Sequence, residues 1–386
     1  MKQYQFIAKT LAGLEEFLAD ELISLGAQEV KPVIRGVSFS GDKALMYKVN
    51  YQSRLAIRVL VSIQSFPVRN EKELYQAIYG IAWENYMDNA ATLAVDAVTQ
   101  HQKMTHSLFI AQLAKDAVVD RFRNREGVRP SVDLDAPDLR IHVHLDQREA
   151  SILLDSSNVP LFKRGYRIGA LVAPINEVLA AGLLELSRWD EKTPLFDPMC
   201  GSGTFLIEAA MKATKTPAGK FRTEFGFMKW NDFDETLWNK VKADAEALIV
   251  PLEVEIKGSD LSRRAISMAR RNIEAAGFSE NIHTEWQDFF QLPKNFSGFI
   301  ITNPPYDERL SLTDFEEFYK NIGTTLKHLC TDSEAWLIVS SPDAMDAIGL
   351  HPSRRIKVFN GSIECRFLKY TIYQGSKKDN QLADDL

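Results

Sequence analysis

Apolar residues recur along this chain in two rhythms, and the rhythms change near its middle. In the first part, Tyr4 to Ala8 alternates as a strand, and Leu11, Leu14, Phe17, Leu18, Leu22 and Leu25 follow helical spacing closed by Gly26. Gly36 to Gly41 reads as a further strand, Asp42 to Tyr51 as a helix, and Arg54 to Gln64 as a strand in which Arg54 and Arg58 share a polar face. Glu71 to Ile81 is helical, with Leu74, Ile78 and Ile81 on one side, and Leu93 to Val98 is a strand. A helix from Ser107 to Phe122 ends in a basic run, and the strands Leu139 to Leu145 and Glu149 to Asp155 flank a turn at Asp146. These patterns predict two small α/β modules, residues 1–65 and 66–155, followed by a connector at 156–170.

From residue 171 onward, short apolar runs alternate with helical segments. A helix opens at Ala173 to Glu177 and runs through Leu186, and strands are predicted near 194–197, 252–258, 282–286, 298–303, 334–340, 354–359 and 363–373. Helices lie between most of them, so residues 171–386 are expected to form a mostly parallel seven-stranded sheet covered on both faces. Asn360-Gly361 joins the last two runs and predicts an antiparallel terminal hairpin. The aromatic and basic stretch at 214–233 breaks the alternation and reads as an insert, part of a lid or an RNA surface.

Composition narrows the partners more than the fold. At 386 residues, two or three domains are expected, and 45% hydrophobic with 25% charged residues is ordinary for globular chains. The formal net charge of -6 means that any nucleic-acid contact must come from local basic patches. One candidate is Arg121, Arg123, Arg125 and Arg129, which suit either phosphate binding or the negative end of a helix dipole. A second is Lys163, Arg164 and Arg167 with Tyr166, either an RNA grip or a charged linker. Cys200, Cys330 and Cys365 form no metal pattern and no disulfide framework, so no metal and a reducing cytoplasm are expected. No apolar core with a cleavage site marks the N-terminus, and no run approaches a membrane span.

Two stretches carry the chemistry. In Asp197-Pro198-Met199-Cys200-Gly201-Ser202-Gly203-Thr204, a buried strand meets a glycine turn, with Thr204 placed to cap the following helix. The stretch reads as a plain strand-to-helix turn or as a ligand loop at a strand's carboxyl end, where open α/β sheets bind ligands. Asp197 disfavours nucleotide phosphates and suits an ammonium, and the absence of a G-x-x-x-x-G-K-[ST] run excludes a P-loop. In Asn303-Pro304-Pro305-Tyr306, two prolines end another buried strand and hold the backbone extended. The stretch is either a stiffened turn or a wedge presenting an amide and a ring.

The pair of motifs resembles the S-adenosylmethionine-dependent amino-methyltransferases, and more closely the bacterial THUMP-domain enzymes that make N2-methylguanine in large-subunit ribosomal RNA. The resemblance implies an α/β class I (Rossmann-like) methyltransferase fold preceded by ferredoxin-like and THUMP RNA-binding modules. It implies S-adenosylmethionine bound by Asp197, Pro198, Met199, Cys200, Gly201, Ser202, Gly203 and Thr204. Asp260 would take the ribose hydroxyls, or else cap the helix from Leu261. Asp288 would accept from the adenine amine with Phe289 packed on its face, and Asn176 and Glu177 would approach the donor. Asn303 and Pro304 would orient the target amine, with Pro305 stiffening the wedge and Tyr306 stacking on the base. Asp307 departs from the glycine common in the family. RNA, most directly 23S rRNA or a pre-ribosomal particle, is the implied partner. The same logic also serves tRNA guanine-N2 enzymes, adenine-N6 enzymes, and a non-catalytic RNA-binding protein that kept the fold.

Overall fold

The structure is a computed structural model and describes residues 2–169, 174–292, 295–305 and 312–373. In chain order, the first elements are β1 (Tyr4–Lys9), α1 (Glu15–Leu25), β2 (Gln28–Val33), β3 (Gly36–Gly41), α2 (Lys43–Gln52) and β4 (Arg58–Pro67). There follow α3 (Glu71–Gly80), β5 (Thr92–Thr99), α4 (Ser107–Glu126), β6 (Ser131–Val132), β7 (Leu139–Leu145) and β8 (Glu149–Asp155). All eight strands join one sheet in the order β2-β3-β1-β4-β8-β7-β5-β6. The two expected modules therefore share a sheet, sewn together where β4 and β8 pair antiparallel. The boundary expected at residue 65 falls within β4.

Capping chemistry sets several of these boundaries. Gly26 adopts the left-handed conformation at φ 100° and ends α1. The Asp42 side chain accepts from the Leu45 amide at 2.9 Å and starts α2. The exposed strand β2 was not predicted: Gln28-Glu-Val-Lys-Pro-Val carries Pro32 and few apolar residues, as an edge strand can.

The second half comprises α5 (Glu177–Ser187), β9 (Leu195–Asp197), α6 (Thr204–Ala213), α7 (Glu235–Glu246), β10 (Ile256–Asp260), α8 (Arg263–Ala275), β11 (Ile282–Trp286) and β12 (Phe299–Thr302). It ends with α9 (Leu312–Leu329), β13 (Ser333–Val339), α10 (Pro342–Ala347), β14 (Arg354–Asn360) and β15 (Ile363–Ile372). Its sheet runs β11-β10-β9-β12-β13-β15-β14, with parallel pairing from β11 to β13 and antiparallel pairing of β15 with both β13 and β14. The seven-stranded sheet and the terminal hairpin over Asn360-Gly361 match the expectation. β9 lies centrally between β10 and β12, so the ends of those three strands come side by side.

The chain divides into two compact units, and the division is not linear. Unit 1 is Met1–Lys163 with Arg222–Ala247, and unit 2 is Arg164–Phe221 with Leu248–Leu386. The insert therefore leaves the methyltransferase-like half and completes the core of unit 1. Phe227 stacks within 4.4 Å of Tyr47, and Trp238 meets both Tyr47 and Tyr51 edge-on at 5.9 and 5.4 Å. Phe225, Phe227 and Trp230 of the insert are buried, as is Trp238 beyond it, so these aromatic side chains serve the core of unit 1.

Gly226 lets that excursion seat. A Cβ there would lie 2.6 Å from the Asp155 carbonyl oxygen and 3.1 Å from Asn158, and both neighbours include backbone atoms that cannot swing away. Gly226→Ala should therefore cost unit 1 about 1–3 kcal/mol, as overpacking of a tight site does. Denaturant unfolding monitored by tryptophan fluorescence checks this, and an unchanged midpoint would show that the backbone there yields.

Candidate functional site

The central strand β9 ends in Asp197, a carboxyl that is 2% exposed. Its Oδ1 accepts from the Thr302 hydroxyl at 2.8 Å and from the Met199 amide at 3.2 Å. Thr302 is the last residue of β12, immediately before Asn303, so one buried carboxyl ties together the two loops that carry the sequence motifs. Burial pushes Asp197 up to about 7, against the opposing effect of its two hydrogen bonds, and the nearby Asp260 adds to the rise.

The glycine turn is built with positive φ at Gly201 (54°) and Gly203 (82°). A Cβ at Gly201 would meet nothing within 4 Å, so that side of the turn is open to a ligand. Gly203 differs from expectation: it does not line the cavity, and a Cβ there would press on Ala269 of α8 at 3.3 Å. Gly203 is also the N-cap of α6, without a side-chain cap, so Thr204 is not the capping residue. The Thr204 hydroxyl instead accepts from Arg167.

Arg167 braces this turn from below. Its Nη1 donates to the Ser202 hydroxyl at 3.1 Å, its Nη2 to Thr204 Oγ1 at 2.9 Å, and its Nε to Glu177 at 2.7 Å. Asn272 of α8, 1% exposed, adds a donation to the Ser202 carbonyl at 3.0 Å and accepts from the Ile168 amide at 3.0 Å. Asn272 was missed in the sequence, although an asparagine in an apolar helical stripe is a propensity misfit that invites a reason. Arg164 is 1% exposed and faces Glu208, whose Oε1 also accepts from the Tyr166 hydroxyl at 3.1 Å. Arg164, Tyr166 and Arg167 are thus interior struts of unit 2, not an RNA grip, and only Lys163 of that cluster is exposed.

The second basic cluster is likewise engaged. Arg121 donates in a fork to Glu84 at 2.9 and 3.0 Å, Arg125 pairs with the same carboxylate, and Arg123 pairs with Asp120 at 2.8 Å. Arg129 is exposed.

At the next strand, β10, Asp260 accepts from the Gly201 amide at 3.0 Å and from the Ser262 amide at 2.8 Å. Ser262, not Asp260, caps α8, through the Ala265 amide. Asp260 is therefore a brace between two loops, with carboxylate lone pairs still available to hydroxyl donors. Asp288 follows β11, where its side chain accepts from the Phe290 amide at 2.9 Å, and Phe289 is buried beside it. Asn176 caps α5 through the amides of Val178 and Leu179, and Glu177 is held by Arg167; Pro174 and Ile175 line the cavity in their place.

These loops surround a cavity of about 550 Å³ in unit 2, within the range of small-molecule sites. It brings together Asp197, Pro198, Met199, Cys200, Gly201, Ser202 and Thr204 with Asp260, Asp288 and Phe289. Asn303, Pro304 and Pro305 share the same cavity, as does the hairpin tip at Asn360 and Gly361. Tyr306 and Asp307 lie outside the described residues. Leu261, Phe290 and Phe318 supply apolar wall and carried no signal of that role in the sequence. Burial pushes the Cys200 thiol well up, so it stays a neutral wall group and not a nucleophile. Among the described residues, no group of three or more His, Cys, Asp or Glu side chains could hold a metal.

The chemistry of this lining fits S-adenosylmethionine: an open glycine turn for its amino acid end, a buried carboxyl for its positive charge, Asp260 for ribose hydroxyls and Phe289 with Leu261 for a flat base. Sheet order, glycine turn and Asn-Pro-Pro wedge together define a class I methyltransferase. The chain belongs to the RMKL-like methyltransferase family, whose domain model matches residues 164–369; models of the RlmL ferredoxin-like domain and the THUMP domain match 5–60 and 68–155. It is 37% identical to a Synechocystis protein provisionally named an RNA methyltransferase, over 95% of this chain and 97% of that one. It is 38% identical to the ribosomal RNA large subunit methyltransferase K/L of Syntrophotalea carbinolica, over 95% of this chain but only 53% of that longer protein. The crystal structure of SMU.472, provisionally described as a methyltransferase and complexed with SAH, superposes with a TM-score of 0.86 at 28% identity, covering 97% of this chain and 100% of that one.

The raised Asp197 has a consequence for stability. Its folded value of about 7 lies above the ordinary 3.8, so the folded protein holds this proton more tightly than the unfolded chain. Stability is thus lost as pH rises from the ordinary value through about 7. Asp197→Asn keeps an acceptor for Thr302 and Met199 without the charge. It should stabilise the ligand-free protein at about pH 8 by a few kcal/mol, and leave stability little changed at about pH 4. Thermal unfolding across that range is the measurement, and a variant less stable than wild type at the higher pH would contradict the assignment.

Proposed function

We propose that this chain transfers the methyl group of S-adenosylmethionine to the exocyclic N2 amine of a guanine in 23S ribosomal RNA, free or in an assembling particle, in the cytoplasm. The observation that carries the reading is the junction at the end of β12. There Thr302 holds the donor-loop carboxyl of Asp197, and the next three residues, Asn303, Pro304 and Pro305, line the same cavity.

When bound, S-adenosylmethionine supplies an electrophilic methyl group on a positively charged sulfonium. The protein's part is alignment. A guanine N2 amine is a weak nucleophile that presents two hydrogens. Pro304 and Pro305 carry no backbone N–H, so this wedge offers carbonyl acceptors and no competing backbone donor. The Tyr319 hydroxyl donates to the Pro305 carbonyl at 3.2 Å and fixes the wedge. The Pro304 carbonyl and the Asn303 side-chain oxygen are assigned the two hydrogens of the amine. Both acceptors gain strength as positive charge builds on nitrogen during attack. The methylated ammonium loses its proton readily, so no strong base is needed. Tyr306, next in sequence, is assigned the stacking of the extruded base.

The wedge alone would also accept an adenine N6 amine. The THUMP match supports RNA over DNA, and the likeness to large-subunit K/L enzymes supports ribosomal RNA. Guanine N2 is what the resemblance of the two sequence motifs implies. Because the chain spans about half the length of those K/L relatives, the reaction proposed is that of the matching half.

Asn303→Ala should lower single-turnover methyl transfer about a hundredfold, the worth of one preorganised polar contact, while donor affinity stays unchanged. Tritium transfer to 23S RNA from a deletion strain, followed by nucleoside analysis, measures the rate and identifies the product. N2-methylguanosine is expected; N6-methyladenosine, or a wild-type rate in the variant, would overturn the reading.

A further inference from the structure

Most arginines of the two basic clusters predicted to meet RNA are paired with carboxylates, Arg123 and Arg125 at the surface and Arg164 in the interior, whereas another set of arginines is not. Arg263, Arg264, Arg270 and Arg271 are all exposed on α8. None of the four has a carboxylate partner among the described residues, whereas Arg121, Arg123, Arg125, Arg164 and Arg167 each do. Residues 263, 267, 270, 271 and 274 fall on one side of a helix by its 3.6-residue period. In a chain of net charge -6, four unpaired guanidinium groups on one short helix form a concentrated positive strip. Glu274, on the same side of the helix, is exposed with them.

Trp286 closes the strip. Five of the six tryptophans are at most 7% exposed, while Trp286, at the end of the edge strand β11, is 54% exposed. Its position is set on two sides. The indole Nε1 donates to the Leu261 carbonyl at 2.8 Å, and the Arg263 guanidinium lies over the ring at 4.1 Å. Arg270 is fixed against the same strand by donating to the Thr284 hydroxyl and carbonyl at 3.1 and 2.8 Å. Between helix and strand runs an open groove of about 580 Å³, lined by Arg263, Arg270, Arg271 and Trp286 with Ile266, Ser267 and one carboxylate, Glu274.

We propose that this groove is a docking track for single-stranded RNA, in which the α8 arginines take phosphates and Trp286 offers a face for an unpaired base. It is distinct from the Asn303 wedge, and it rests on the reading of the chain as an RNA enzyme. Cationic groups beside an aromatic platform are what a flexible polyanion with π faces requires. Arg263, Arg270 and Trp286 are held before binding, so little of their ordering is lost on contact. The track also leads to the reaction site. Leu261, whose carbonyl holds Trp286, lines the donor cavity together with Ser262 and Ala265 from the first turn of α8. An RNA strand lying along α8 thereby arrives beside the methyl donor.

The test is anisotropy titration of fluorescein-labelled oligouridine with the full chain at several salt concentrations. The triple change Arg263→Gln, Arg270→Gln, Arg271→Gln should lower the salt slope by about 0.7 per lost contact, about 2 in all. Trp286→Ala should weaken binding about tenfold, and Trp286→Phe should recover most of it. RNA should quench the fluorescence of the wild type much more than that of Trp286→Phe. Donor binding, measured by calorimetry, should be unaltered in every variant and serves as the test of folding. An unchanged slope and affinity in the triple variant overturns the track, whatever else that surface binds. If wild type methylates ribosomal RNA while the variants bind oligouridine normally, the track fails and the proposed reaction stands. If the variants lose the slope but wild type methylates no ribosomal RNA, the track stands and the reaction fails.

Discussion

One buried carboxyl organises the catalytic half of this protein. Asp197 ends the central strand, and its contact with Thr302 crosses from β9 to β12, so the glycine turn and the Asn-Pro-Pro loop are tied at their bases. The cost of holding that group in the interior is visible in its high proton affinity. A neutral residue would make a more stable protein and a worse receptor for a cation, since only the ionised form attracts a sulfonium. Function thus sets a local conflict that the rest of the fold must outweigh.

The remaining braces act on the same small region. Arg167 and Asn272 hold the Ser202 and Thr204 turn from beneath, and Asp260 holds Gly201 from the neighbouring strand. Each is charged or polar and largely removed from water. Pairs such as Arg167 with Glu177 and Arg164 with Glu208 contribute little net stability, because desolvation offsets their attraction, but losing one partner strands the other. Their value here is geometric: they hold a loop rich in glycine, which lacks intrinsic rigidity, in one conformation.

The seven strands of the second sheet were legible because apolar runs such as Phe299 to Thr302 and Ala335 to Val339 are short, continuous and separated by helical periods. The strand expected at 252–258 lies at Ile256–Asp260, displaced by the irregular run after Pro251. The glycine turn and the Asn-Pro-Pro wedge were legible because few structures need those residues in that order. The arginines were not. A run of basic residues looks alike whether it faces solvent or a carboxylate brought from afar, and Arg121 finds Glu84 at a separation of 37 residues while Arg164 finds Glu208 at 44. The same blindness hid α8, whose arginines differ from the others only in what the fold does not place opposite them.

The excursion of Arg222–Ala247 has a consequence for how the chain is made. Tyr47 and Tyr51 emerge early, yet Phe227 and Trp238, which cover them, come nearly two hundred residues later. By then the ribosome has already delivered β9, the glycine turn and α6. Unit 1 therefore cannot finish its core as a leading domain during synthesis, and its aromatic surface must wait, exposed, for its own later segment. The two units are thereby obliged to mature in step, and a fragment cut at residue 163 inherits the gap rather than a domain.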